Sequence, residues 1–213
     1  MTLDVFADIA CPWCYIADAR LQRALDARPH LRIVRRWRPF QLQPALDPWQ
    51  PWQPFAARKF GGAERARAVF ETVTLIGRRE GLAFDFDAMP TAPNTLDAHR
   101  IVLFGEAHGR AFETAQTLFR GYFSEGRNLN DPKDLLALAT AAGLPGPEAR
   151  AVLMSDRYRA DVEKCQSAAG ALGISGVPFY VFDRRHTLSG AQPTAVFLDA
   201  LDRMALEGTE ALD

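Results

Sequence analysis

Cys11 and Cys14 flank Pro12 and Trp13, and no other stretch of this 213-residue chain gathers as much chemistry. Two thiols three positions apart at the start of a helix can alternate between a dithiol and a disulfide. The helix N-terminus supplies unpaired amides and a partial positive charge, which favour a thiolate on the first cysteine. Zinc also uses C-x-x-C half-sites, but it needs two further ligands at suitable spacing. The remaining cysteine is Cys165, and His30, His99, His108 and His186 are scattered, so no metal site is expected. A purely structural bridge here would close a very short loop and gain little. Thiol–disulfide exchange is the expected chemistry, with a redox-active disulfide and no bound cofactor.

The surrounding elements must hold the pair at a strand-to-helix corner. Residues 2–7 read as a short buried strand. A helix follows over residues 12–27, with Pro12 suited to its first position and Ala17, Leu21, Ala24 and Leu25 recurring at helical spacing. Pro29 ends it. Residues 31–38 read as a second strand with Leu31, Ile33 and Trp37 facing inward and Arg35 breaking the alternation. Strand, helix, strand is the order of a parallel pair with a crossover helix.

From residue 44 to 157 no strand pattern is found. Pro44, Pro48, Pro51 and Pro54, with Trp49 and Trp52, read as a rigid irregular lead-in with no assigned chemistry. Helical patterns follow over 63–80, 94–107, 110–125, 132–142 and 147–153, with Asp131-Pro132 and Gly143 bounding one of them. Ser155 can cap a further helix running to Leu172. Residues 177–182 then read as a strand, 183–186 as a turn, 187–189 as its hairpin partner and 193–207 as a closing helix. The expected fold is α/β, a thioredoxin fold with a large all-helical insertion between its second and third strands. Residues 1–43 and 158–213 form the discontinuous thioredoxin-like domain, and residues 44–157 the insertion.

The chain is 48% apolar, with 25 basic and 26 acidic residues and a net charge of −1, so neither nucleic acid nor an anionic membrane surface is expected as a partner. No apolar run approaches a membrane span. The N-terminus lacks a basic segment and carries Asp4 and Asp8, so it reads as a strand and not a signal peptide. A cytoplasmic location is the expectation, and there a disulfide is usually transient and catalytic.

Several short motifs resemble the DsbA-type thioredoxin-fold proteins, and among them the FrnE-like branch. They are Asp8 through Ile16, Trp37-Arg38-Pro39-Phe40-Gln41-Leu42, and Pro93-Asn94-Thr95 with Ala98-His99-Arg100. Tyr122 through Gly126, Gly173 through Phe179, and Gly190-Ala191-Gln192 follow in the same order. The resemblance implies a cis bond between Val177 and Pro178 facing the cysteines, leaving the Val177 backbone free to pair with an incoming peptide. It also places a helical domain between the second and third strands. Cys11, at the exposed corner, would attack; Cys14, more buried, would resolve. Pro12 and Trp13 would tune the pair, and Trp13 stands where DsbA has histidine, so DsbA's strong oxidising power is not carried over. Asp8 is either a buried acid that takes a proton from Cys14 or a solvated cap on backbone amides. Asn94 and His99 sit at the start of an apolar helix, Asn94 as a cap or ligand and His99 as a modulator, a substrate contact or a core histidine. Phe179 and Gln192 complete the candidate substrate positions. Cys165 reads as a buried inert thiol.

The expected activity is a thiol–disulfide oxidoreductase acting on protein or peptide thiols and disulfides, recycled by glutathione or a thioredoxin-type partner, as monomer or homodimer. The alternative is a glutathione-dependent enzyme like kappa-type glutathione transferases and 2-hydroxychromene-2-carboxylate isomerases. These act on small molecules and as a rule carry serine where Cys11 stands.

Overall fold

The computed structural model describes residues 1–210. Residues 211–213, inside the segment 158–213 assigned to the thioredoxin-like domain, lie outside the described residues.

The central strand β1 (Thr2–Ala7) is nearly all buried because both its faces are covered. Leu3, Val5 and Ala7 join the main core, while Phe6 packs with Phe40, Ala169 and Ile174 on the other face. β2 (Val34–Pro39) runs parallel to β1, with Val5 opposite Trp37. A parallel pair needs a crossover, supplied by α1 (Pro12–Asp26). β2 starts three residues later than its apolar pattern suggested, with Val34 paired to Thr2 at the start of β1. Leu31 and Ile33 pack half-buried against the core without joining the ladder. Arg35, the break in the alternation, holds its guanidinium 4.1 Å above the Phe112 ring, a cation–π contact that lets a charged residue face inward.

Between β2 and the next strand lie α2 (Trp52–Phe60), α3 (Ala63–Arg79), α4 (Leu96–Glu106), α5 (Ala111–Phe123), α6 (Pro132–Ala141) and α7 (Gly146–Leu153). The helix α2 corrects the expectation of an irregular lead-in. Pro51 sits just before the helix and Pro54 in its first turn, where a missing N–H costs nothing. Trp52, Phe55 and Ala56 then bury one side, and Gly61 closes the helix at φ 76, a left-handed turn that suits glycine.

The chain re-enters the sheet region through α8 (Arg159–Ala171). Ser155 does not cap this helix as expected: its hydroxyl bonds Val152 O and Arg157 N, and the helix begins after Tyr158, whose φ of 67 makes the corner. β3 (Phe179–Phe182) pairs antiparallel with β1, and β4 (His186–Ser189) forms its hairpin. Positive φ at Asp183 and Arg184 gives the hairpin the hand that matches strand twist. His186, expected in the turn, opens β4. The sheet order is β2-β1-β3-β4, and α9 (Thr194–Glu210) packs along α1 through Phe197 and Leu201. One continuous apolar cluster links the sheet, α1 and the insertion, so the helices bear directly on the cysteine corner.

Candidate active site

Cys11 is the N-cap of α1, in extended conformation, and its side chain makes no capping bond. Pro12 follows without an N–H, and the Cys14 and Tyr15 amides close the first turn on the Cys11 carbonyl at 3.0 and 3.3 Å, so the sulfur sits at the positive end of the helix. Cys11 Sγ sits 3.6 Å from the Val177 carbonyl oxygen, and the Val177–Pro178 bond is cis. Cys14 lies one turn further in. Burial pushes its thiol well above the ordinary range, and a hydrogen bond to the Cys11 sulfur and the nearby Cys11 and Asp8 charges push the same way. The proton therefore stays on Cys14.

Cys11 was expected at an exposed corner, yet it is only 4% exposed, against 2% for Cys14. The cause is a roof. Trp13 and the α2–α3 side chains Trp52, Phe55, Phe70 and Val73 wall a cavity of about 320 Å³ onto which Cys11 opens. Aromatic stacking stiffens that wall: Phe70 lies 4.4 Å from Phe86 and 5.4 Å from Trp52. Lys59 is the cation among the lining side chains and is exposed.

Behind the cysteines lies a polar floor. Asp8 is 1% exposed, so it is not a solvated cap. Its carboxylate accepts the Ala10 amide at 3.2 Å and the Leu42 amide at 2.7 Å. Burial, and secondarily the Asp8 charge, push the Tyr122 phenol well above its ordinary range, so it stays neutral and donates to Thr91 O. His99 is wholly buried: Trp37 Nε1 donates to its Nδ1 at 3.3 Å, and its Nε2 lies 3.4 Å from Asp8 Oδ1.

The other candidates fall elsewhere. Asn94 ties loops together: its Oδ1 accepts from Gln41 Nε2 and the Leu96 amide, and its Nδ2 donates to Pro44 O and Leu46 O. Thr95, not Asn94, is the N-cap of α4. Phe179 packs on the far face of the sheet, and Gln192 bonds Ser189 O; neither walls the cavity. Cys165 is half-buried on α8. The aromatic wall was not read as functional from sequence. The spacing of Trp52, Phe55 and Phe60, with Val69, Phe70 and Val73 after it, carries a helical signal that the prolines obscured.

A strand–helix corner bearing a dithiol, with a proline-bearing loop from the third strand beside it, defines a thioredoxin-fold oxidoreductase. Residues 2–202 match the DSBA-like thioredoxin domain family, and the chain belongs to that family. A probable DsbA oxidoreductase from Streptomyces coelicolor is 36% identical, with a TM-score of 0.88 over 97% of this chain and 91% of that one. A 2-hydroxychromene-2-carboxylate isomerase matches at 15% identity and a TM-score of 0.74, over 99% of each chain. The cytosolic disulfide reductase DsbM of Pseudomonas aeruginosa, solved with glutathione, matches at 21% identity and a TM-score of 0.64 over 100% of each. The last two likenesses concern the fold alone. Among the described residues, no helix is long and apolar enough to cross a membrane.

Proposed function

We propose that this protein is a FrnE-like protein thiol–disulfide oxidoreductase in which Cys11 attacks and Cys14 resolves. The observation that carries the reading is the Cys11 sulfur, uncapped at the α1 N-terminus and 3.6 Å from the Val177 carbonyl oxygen, with the Cys14 thiol buried behind it and pushed up by that burial. The Cys11 thiolate attacks a substrate disulfide, releasing one substrate sulfur as a thiolate. The Val177 carbonyl beside Cys11 is placed to accept an amide from an extended substrate segment. Asp8 takes the Cys14 proton, the Cys14 sulfur attacks Cys11, and the second substrate sulfur leaves. Oxidation is the same sequence reversed.

A cytoplasmic setting, where the glutathione pool keeps the pair reduced, favours reductase or isomerase work on protein or peptide disulfides, with glutathione or a thioredoxin-type protein as recycling partner. The test is the equilibrium potential of the Cys11–Cys14 pair. A value near the thioredoxin end of the scale, about −270 mV, supports a reductase, and one near about −120 mV supports an oxidising pair used for isomerisation or outside the cytoplasm. Failure to form a reversible disulfide would overturn the reading.

One observation favours a second reading. Cys11 faces an aromatic-walled cavity at the small end of the range for small-molecule sites. That geometry suits a glutathione-dependent isomerase or transferase acting on a small molecule. Turnover with glutathione that survives Cys14→Ser would select it, since the resolving thiol is then dispensable.

A further inference from the structure

His99 is a wholly buried ionisable group that the exchange steps above leave unused. It reaches the cysteine corner from α4, in the helical insertion. Trp37 Nε1 lies 3.3 Å from His99 Nδ1, and an indole nitrogen can only donate. Nδ1 is therefore the acceptor, and the ring proton sits on Nε2. A second proton could enter at Nδ1 only by breaking the Trp37 bond. Nε2 points at Asp8 Oδ1 from 3.4 Å and has no hydrogen-bond partner. A buried donor left unmade is costly, and a fixed donor beside one oxygen of a buried carboxylate holds the group's orientation, so that it meets an incoming proton in a set geometry.

We propose that His99 is a positioning residue for the resolving step, its Nε2–H steadying the Asp8 carboxylate while Asp8 accepts the Cys14 proton. The inference rests on the thiol–disulfide reading and deepens it. In the step, the Cys14 S–H bond breaks and its proton passes to the Asp8 carboxylate. The Cys14 sulfur bonds to Cys11, the bond from Cys11 to the substrate sulfur breaks, and that sulfur leaves as a thiolate. Cys14 is oxidised, the departing sulfur is reduced, and His99 keeps its Nε2 proton throughout. The other ionisable groups facing Asp8 are Cys11 and Cys14 from α1 and Tyr122 from α5, with Lys59 of α2 across the cavity. β2 and the chain after it contribute the Trp37 indole and the Leu42 amide, neither of which titrates.

The test uses the reduced full-length protein carrying Cys165→Ser, so that Cys11 and Cys14 are the thiols that react, and 5,5′-dithiobis(2-nitrobenzoate), whose thiolate is coloured. Attack by Cys11 releases one thiolate, and resolution by Cys14 releases the second in a later phase. His99→Gln keeps an N–H where Nε2 stood; His99→Asn does not reach. With His99→Asn the second phase slows by about tenfold or more, and the first stays as in the wild type. With His99→Gln the second phase returns close to the wild-type rate. In an Asp8→Asn background, His99→Asn adds no further slowing.

A second phase at wild-type rate across the pH range in His99→Asn would overturn the proposal. So would equal slowing by Gln and Asn, or undiminished slowing in the Asp8→Asn background. Absence of both phases in the wild type would instead sink the thiol–disulfide reading itself. Thermal melts of each variant separate lost folding from lost positioning, and the Gln–Asn contrast carries the test even if larger changes unfold the corner.

Discussion

Two thiols in this molecule open onto concave surfaces on opposite faces of one sheet, and they are not equivalent. Cys11 looks into the cavity of about 320 Å³ beside the main core, while Cys165 lines a larger groove of about 720 Å³. The strands supply alternate side chains to the two sides: Val5, Trp37 and Tyr180 to the first, Phe6, Arg38 and Val181 to the second. The groove even offers a cation, since Arg38 lies close to Cys165 and lowers its proton affinity. Burial nonetheless pushes that thiol up, and the Glu106 charge adds to the effect. Cys165 sits in the interior of α8, where the backbone amides are spent on the helix, and no second thiol stands beside it. Cys11 has the open helix end, a partner thiol and a buried acid behind it. A pocket and a nearby cation are common to both thiols; a helix terminus and a partner thiol belong to Cys11 alone.

The sharpest way to break the comparison is to exchange serine for each thiol in turn. Cys11→Ser reduces disulfide exchange to the uncatalysed background, while Cys165→Ser leaves it unchanged, both read by insulin reduction. Loss of activity in Cys165→Ser would mean that the far groove takes part. The next effect in size concerns the acid. Asp8→Asn slows resolution by about a hundredfold, in the usual range for losing a positioned proton acceptor, while the initial attack by Cys11 is little affected. Equal slowing of both phases would show that Asp8 serves the structure of the corner and not the proton.

What was legible in the sequence follows the same division. The C-x-x-C at a strand-to-helix junction, the parallel pair it implies, and the helical insertion are local patterns or follow from chain connectivity. The depth of Cys11 was not legible, because α2 and α3 roof it from positions more than forty residues away in the chain. The helix α2 itself was hidden by Pro51 and Pro54, which break a helix in its interior but are harmless at its start. His99 could be marked as a candidate, but its partners could not: Trp37 and Asp8 come from two different strands' ends and meet it only in the fold. Phe179 is a candidate substrate position in the sequence, yet strand alternation turns it to the other face.

The roof gives a third test. Phe86 is buried and stacked between Phe70 and Phe84 in the cavity wall. Phe86→Ala removes a large buried ring and costs about 3 kcal/mol or more of stability, read by urea denaturation. It also enlarges the cavity, so the rate with small disulfides and the rate with a protein disulfide change in different proportions. Proportional changes in both would show that the wall gives only stability and takes no part in selecting the substrate.

The smallest effects are those of charge on the second thiol, and their sign is fixed. Because the Cys14 and Cys165 thiols are both pushed up, each stays protonated through neutral pH and is open to external alkylating reagents only as pH climbs beyond the ordinary thiol range, about 8.5. Alkylation of the reduced protein at pH near 7, mapped by mass spectrometry, is expected at Cys11 first. Cys165 follows at higher pH, and Cys14 only when the corner opens. Arg38 opposes the upward push on Cys165, so Arg38→Gln pushes that thiol further up and slows its alkylation by about a few-fold at fixed pH. The same change also strips Asp4 of the guanidinium that pairs with it at 2.7 Å, which loosens the groove and works towards faster labelling. Slower labelling therefore means that charge governs the far thiol, and faster labelling means that access does. In either case the rate at Cys11 stays fixed, because Arg38 points to the other face of the sheet.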